Sequence, residues 1–189
     1  MREQKTMNLA EVEFLAEHSM VSVLPNFKEN KFNILTGDFG PFNPGLPVEV
    51  PIWMAIDLKL RNKCRINPPA WLDVDKLQEF KENESNELVF TEPPSKHYME
   101  ISSMLLRTAP EDIPKADEVR RLIKDIWDVR MAKLRKSVDQ MILSQETHAE
   151  INNLTWMEMS QVRNLLLPAL NEMFNMRCYV AQLPAPGGV

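Results

Sequence analysis

The chain has 189 residues, 44% hydrophobic and 26% charged, enough apolar material for one sizeable domain or two small ones and too ordinary a balance for disorder. A formal net charge of −5 argues against a broad phosphate-neutralising surface, although a local basic patch remains compatible with it. No apolar run approaches the roughly 18 residues of a membrane span, and the charged opening MREQKTMNLAEVEF lacks the apolar core of a signal peptide, so none is expected. Cys64 and Cys178 lie far apart without CxxC or Cys/His spacing, the pattern of two reduced thiols.

In chain order, Asn8 and Glu11 form a cap pair for a short helix carrying Leu9, Val12 and Leu15. MVSVLP (Met20 to Pro25) and FNILT (Phe32 to Thr36) read as short strands joined by the polar NFKENK. LTGDFGPFNPG reads as a loop, and Pro47 to Val50 as a third strand. Between Gly40 and Trp53, Pro41, Pro44, Pro47 and Pro51 each fix φ and remove a donor, so this segment is stiff rather than a floppy linker. Pro51 suits the first turn of a helix over Ile52 to Asn62, and Cys64 to Ile66 can return as a strand. NPPAW then marks a module boundary.

Beyond it the pattern is helical. Asp73 caps a helix over Val74 to Glu84, with Leu72 and Leu77 spaced as a hydrophobic staple. Ser95 precedes a helix with Tyr98, Ile101 and Leu105 on one face, which APEDIP ends. Pro114 opens the longest pattern, to about Ser144, roughly 45 Å of helix. Thr155 and Glu158 form a second capping box, and Pro168 is expected to break the helix that follows before a restart near Leu165 to Leu167. The tail LPAPGGV is expected to fray. The fold class read from this is α+β: a β-rich unit over 1–67, a helical unit over 68–180 and a flexible tail over 181–189.

Chemistry is sparse. His18, His97 and His148 sit in separate elements with no metal-ligand spacing. GxGxxG, GxxxxGK[ST], GxSxG and HExxH are all missing, so no catalytic residue, cofactor, metal or small-molecule substrate is expected. Lys59, Arg61, Lys63 and Arg65 form a basic cluster, read either as helix-terminal charge on a surface or as the footprint of a nucleic-acid binder.

The long helix carries the most information. With Val119 at zero, Leu122, Ile123, Ile126, Trp127, Leu134, Val138 and Met141 form one broad apolar stripe. Arg130, at about 20°, and Lys133, at about 320°, fall inside it. Either both stems snorkel to water, or acidic groups of this chain or of a partner meet them. The opposite face offers the i, i+4 pairs Asp117 with Arg121, Lys124 with Asp128 and Arg135 with Asp139. Val129, Met131, Ile142 and Leu143 are apolar outside the stripe, which suggests partner helices.

PNF (Pro25 to Phe27), GPFNPGLPVEVPIWMA (Gly40 to Ala55), KCRI with PPAW (Lys63 to Trp71), IPKADEVR (Ile113 to Arg120), IKDIWDVRMAKLR (Ile123 to Arg135) and NNLTWMEM (Asn152 to Met159) resemble the Psf-two family of the GINS complex. The resemblance runs in order from about Val12 to Met176 and departs at the residues before Asn8, at Pro168 and in the tail. It implies a β-rich B domain, a helical A domain packed with three sister subunits, and a non-catalytic role in the nucleus. That role is joining the MCM hexamer ring and its bridging factor into the replicative CMG helicase, with DNA contact at most indirect. It also implies a partner interface at Trp127, Arg130, Lys133, Leu134, Leu166 and Phe174, and a B-domain surface at Phe42, Pro44, Pro47 and Trp53. A stand-alone helical adaptor and a direct nucleic-acid binder are the alternative readings.

Overall fold

The computed structural model describes residues 9–34, 37–144, 152–161, 163, 168, 171, 172 and 175. In chain order the first half holds α1 (Leu9–Ala16), β1 (Met20–Pro25), β2 (Phe32–Ile34), β3 (Gly37–Phe39), β4 (Val48–Pro51), α2 (Ile52–Leu60) and β5 (Cys64–Asn67). The second half holds α3 (Val74–Asn86), α4 (Tyr98–Thr108), a 3-10 turn (Pro110–Asp112) and α5 (Ala116–Ser144); residues 156–161 open a last helix.

β1 is the middle strand of an antiparallel sheet ordered β4-β1-β5. Its alternation turns Val21, Val23 and Pro25 inward, and the register sets Val21 opposite Val50 and Val23 opposite both Val48 and Ile66. These β-branched pairs give the sheet its buried face. β1 and β2 are neighbours in sequence but do not pair. β2 pairs instead with β3, Phe32 opposite Phe39, inside the stretch read above as loop. That correction has a physical cause: three residues are too few for periodicity to show a strand.

The proline-rich run is anchored from within. Phe42 is fully buried, stacked at 5.4 Å on Phe27 and lying 5.4 Å from Phe32, and its backbone exchanges two 2.9 Å hydrogen bonds with Glu29. Gly45 N–H donates to Pro25 O at 3.1 Å, tying the loop to the end of β1. Gly40 has φ +109°, and a Cβ there would lie 3.1 Å from the Phe42 ring, so the turn into the run requires glycine. Pro51 sits just before α2 in extended conformation rather than in its first turn.

α3 begins after Asp73 as expected, although the Asp73 side chain makes no cap hydrogen bond; Leu72 and Leu77 are both buried at this end. Tyr98, Ile101 and Leu105 of α4 are buried as their spacing predicts. α5 runs for 29 residues, about 44 Å, and packs on α3 and α4. The i, i+4 pairs expected on its outer face are not within ion-pair distance among the described residues; Asp125 takes Lys81 of α3 at 2.7 Å instead. One cluster of buried side chains runs from Ala16 through the sheet to Ile126, so sheet and bundle share a core. Pro168 is itself helical, while the break expected before it lies outside the described residues.

Candidate partner-docking site

Arg130 is the largest wholly buried side chain among the described residues, on the apolar stripe of α5 between Ile126 and Leu134, themselves buried. A guanidinium offers five N–H donors in a fixed plane, and each has an acceptor here. Nε donates to Glu158 Oε1 at 2.6 Å, and Nη2 to Glu158 Oε2 at 3.0 Å and to Asn153 O at 2.7 Å. Nη1 donates to Glu84 Oε2 at 2.8 Å and Thr91 O at 3.2 Å. The Phe80 and Phe90 rings flank it at 6.0 and 5.3 Å, adding the attraction of their faces for a cation.

Lys133, one turn on, donates from Nζ to Glu84 Oε1 and Glu84 O, both at 2.6 Å, and to Val89 O at 3.2 Å. Thr91 gives both its hydroxyl and its N–H to Glu84. Burial alone would raise the Glu84 carboxyl, but the Lys133 and Thr91 hydrogen bonds and the Arg130 charge outweigh it and hold the group below its ordinary value. Arg130 is pushed up: burial opposes its charge, and the bonds and charges of Glu158 and Glu84 win. Two cations and two carboxylates make the hub electrically neutral, the condition under which buried charge is tolerated.

Glu158 has a second task. Thr155 N–H donates to its Oε2 at 2.8 Å, and Glu158 N–H returns to Thr155 Oγ1 at 3.4 Å, the reciprocal capping box legible in TWME. Tyr98 Oη–H adds a bond to Oε1 at 3.3 Å. One carboxylate thus starts the last helix and fastens it to α5 and α4.

The hub fixes two backbone segments that carry exposed apolar side chains. One is 88–91, held through Val89 O, Thr91 O and an Asn153 Nδ2 bond to Phe90 O at 3.0 Å; Leu88 is 89% and Val89 66% exposed. The other is 153–159, held through Asn153 O and Glu158, with Trp156 50% and Met159 44% exposed. Beside the second segment lies a cleft of about 280 Å³ lined by Glu92, Pro93, Lys96, Asn153, Leu154, Thr155 and Trp156. Asn153 has φ +60°, a left-handed conformation that its two hydrogen bonds over-determine.

Of the residues singled out by sequence, the structure brings Arg130, Lys133 and Leu134 together but places the Arg130 side chain wholly inside the chain, out of reach of direct contact with a partner. Trp127 is half-buried; Leu166 and Phe174 lie outside the described residues. Pro44 and Pro47 are exposed and Trp53 is half-buried, packed against the core. Phe42, expected on the surface, is buried, because it is the aromatic plug under the proline run. Val129 and Met131 are half-buried; the side chains of Ile142 and Leu143 are not among those described, and His148 lies outside the described residues.

The basic cluster is partly paired within the chain. Asp112 receives Lys59 at 2.8 Å and Arg65 at 3.5 Å while accepting Ile66 N–H at 2.9 Å, Arg61 pairs with Asp57 at 3.1 Å, and Lys63 stands over Phe27. This clamps β5 to the 3-10 turn. Among the described residues no cluster of three or more His, Cys, Asp or Glu is placed to hold a metal, and no helix is long and apolar enough to cross a membrane. The buried Cys64 thiol is pushed up to about 11 by burial, hence unreactive. Sequence reasoning missed Glu84, Thr91 and Asn153 as acceptors and the exposed Leu88, Val89, Trp156 and Met159; only the capping box signalled that Glu158 was placed with purpose.

A sheet unit joined to a helical bundle, with a closed charge hub presenting apolar side chains, has the build of an interaction subunit. Residues 8–67 match the model of the PSF2 N-terminal domain, and residues 71–177 that of the GINS complex protein helical bundle domain. The chain is 53% identical over 171 residues to the DNA replication complex GINS protein PSF2 of Homo sapiens, covering 90% of this chain and 92% of that one. It is 43% identical over 162 residues to the probable DNA replication complex GINS protein PSF2 of Drosophila melanogaster, covering 86% and 80%. It is 27% identical over 163 residues to the DNA replication complex GINS protein psf2 of Schizosaccharomyces pombe, covering 86% and 87%. The chain belongs to the PSF2 family of GINS proteins.

Proposed function

We propose that this chain is a non-catalytic structural subunit of a GINS complex in DNA replication, docking on sister subunits through the apolar side chains that the Arg130 hub holds in place. The observation that carries this reading is the pairing of a closed, neutral hub with exposed Leu88, Val89, Trp156 and Met159 on the segments it fastens. A backbone fixed before binding loses little freedom on docking, so more of the burial of the side chains it carries is kept as affinity. Aromatic and large apolar residues surrounded by polar ones are also the ordinary anchors of an interface. Family membership supports the finer parts: a nuclear heterotetramer with three sisters, a B domain over 1–67 and an A domain over 68–180. It likewise supports a role in joining the MCM ring and its bridging factor into the CMG helicase, to which the exposed Pro44 and Pro47 would offer a stiff B-domain surface.

The test is co-expression with the three sister subunits and native mass measurement, comparing wild type with a Leu88→Asp, Trp156→Asp double variant. The variant is expected to keep its helical signal, because both side chains are exposed, while losing co-purification of at least one sister. Full recovery of a four-subunit mass from the variant would overturn this docking face.

A further inference from the structure

Among the described residues, three buried side-chain atoms have no hydrogen-bond partner: His97 Nδ1 and both carboxyl oxygens of Glu100. They face each other, Nδ1 to Oε1 at 3.8 Å, across the first turn of α4. Leaving a buried carboxylate without a donor costs as much as breaking a buried pair, and native folds rarely tolerate it. A carboxyl that keeps its proton removes the difficulty, since a neutral acid has a donor to give and no charge to solvate.

We propose that Glu100 and His97 hold a single proton between them in the folded chain, carried by the carboxyl and offered to the imidazole, and that its loss loosens the seat of α4 against α1 and the last helix. The Glu100 O–H donates to Nδ1 of a neutral His97 protonated at Nε2, and a small side-chain adjustment closes the gap. On deprotonation the proton passes to solvent while His97 keeps its proton at Nε2, so Nδ1 has nothing to donate and the carboxylate is left with no donor. Its surroundings discourage that charge. Burial pushes the Glu100 carboxyl up to about 7; its own backbone N–H, near but outside hydrogen-bond geometry, opposes the rise, and the Glu158 and Glu13 carboxylates add to it. His97 is pushed down by burial and by Lys96, which keeps it neutral and accepting.

Among the described residues, the cations of the elements packed around α4 are already engaged, and Lys96, just ahead of α4, is exposed to solvent. Arg107 of α4 lies beside Glu13 of α1, and Arg130 of α5 is engaged by Glu84 and Glu158. Arg120 of α5 donates to Leu106 O, and Lys59 of α2 is taken by Asp112 of the 3-10 turn. Tyr98, beside Glu100, is itself pushed up and stays neutral.

The sign follows from linkage. A group whose folded pKa is raised contributes fully below its unfolded value and loses that contribution as pH rises toward the folded one. The window therefore runs from the ordinary 4.5 to about 7, and within it the folding constant should fall by up to about tenfold per pH unit through this one proton. The experiment is a pH series, from about 4 to about 9, on the full chain in its co-purified complex, read by infrared absorption of the protonated carboxyl and by thermal unfolding. Wild type should show a protonated-carboxyl band that fades near neutrality. Glu100→Gln, which is neutral and isosteric, should lack that band and flatten the pH slope of unfolding. His97→Ala should move the fading to lower pH, because the acid loses its acceptor. An unchanged slope in Glu100→Gln, an ordinary carboxyl titration at position 100, or an unmoved midpoint in His97→Ala would each overturn the shared proton. A transition abolished by a chelator would overturn it in favour of a metal on the same three atoms. The infrared band reads position 100 without relying on the stability of either variant.

Discussion

Truncating Arg130 to Ala removes the one group that satisfies two wholly buried carboxylates and two backbone carbonyls at once. Glu84 keeps Lys133 and Thr91, and Glu158 keeps Thr155 N–H and Tyr98, so neither acid is left bare. Stranding one partner of a buried pair costs about 3–5 kcal/mol, and the surviving bonds hold the expected loss inside that range rather than at twice it. Because the damage lies within the chain, it appears as lost stability of the subunit itself and reaches its partners only through the segments at 88–91 and 153–159. Arg130→Lys should recover little, since a point charge cannot reproduce five donors in a plane. Denaturant unfolding measures the loss, with Arg121→Ala on the exposed face as the control, expected within about 0.5 kcal/mol of wild type. Adding Glu158→Gln to Arg130→Ala should cost less than the sum of the two single changes, because the charge being stranded has gone. An Arg130→Ala variant within about 1 kcal/mol of wild type would refute the reasoning, since that is the worth of an exposed pair.

Two further outcomes follow. Phe42→Ala should destabilise by about 3–5 kcal/mol by emptying the aromatic plug, while Pro44→Ala and Pro47→Ala, both exposed, should each cost only about 0.4–1 kcal/mol through added unfolded-state freedom; equal effects in thermal unfolding would refute the anchored loop. Glu84, held below its ordinary 4.5, contributes stability that is complete above that value and is lost as pH falls through its lower folded one, so Glu84→Gln should flatten the acid limb of unfolding monitored by circular dichroism, and an unaltered limb would refute the hub's charge balance.

The long α5 was legible because 29 residues give the 3.6 period many repeats, and the misplaced Arg130 stood out against that regularity. Its acceptors were not legible. Glu84 sits in a helix so polar that one inward-facing carboxylate leaves no trace, and it lies 46 residues from Arg130 along the chain. Glu158 was visible only in its local role at a helix start, although the same two oxygens also bind Arg130. β3 was lost because its three residues include Gly37 and Asp38, both turn formers, while Phe42, placed on the B-domain surface through the resemblance, is held inside by Phe27 and Phe32. For Glu84 and Glu158 the deciding interaction was long in sequence, and local pattern carries no information about it; β3 was lost to its shortness and its turn formers, since its partner β2 is a sequence neighbour.

The hub also bears on why a chain that buries Ile126 and Leu134 nearby should bury the charges of Arg130, Glu84 and Glu158 at all. Filling that space with apolar residues of similar volume would serve stability as well or better. Apolar side chains, however, interchange with little penalty and would leave the paths of 88–91 and 153–159 free to shift. The Arg130 fork accepts one arrangement of two carbonyls and two carboxylates, so those segments have one position in which every donor is satisfied. Under this reasoning, replacing Arg130, Glu84 and Glu158 together by Met, Leu and Leu should restore much of the stability that Arg130→Ala loses, yet not the fixed presentation of Leu88, Val89, Trp156 and Met159. A triple variant that regained stability and also assembled with its sisters at wild-type affinity would show that the hub serves the core alone.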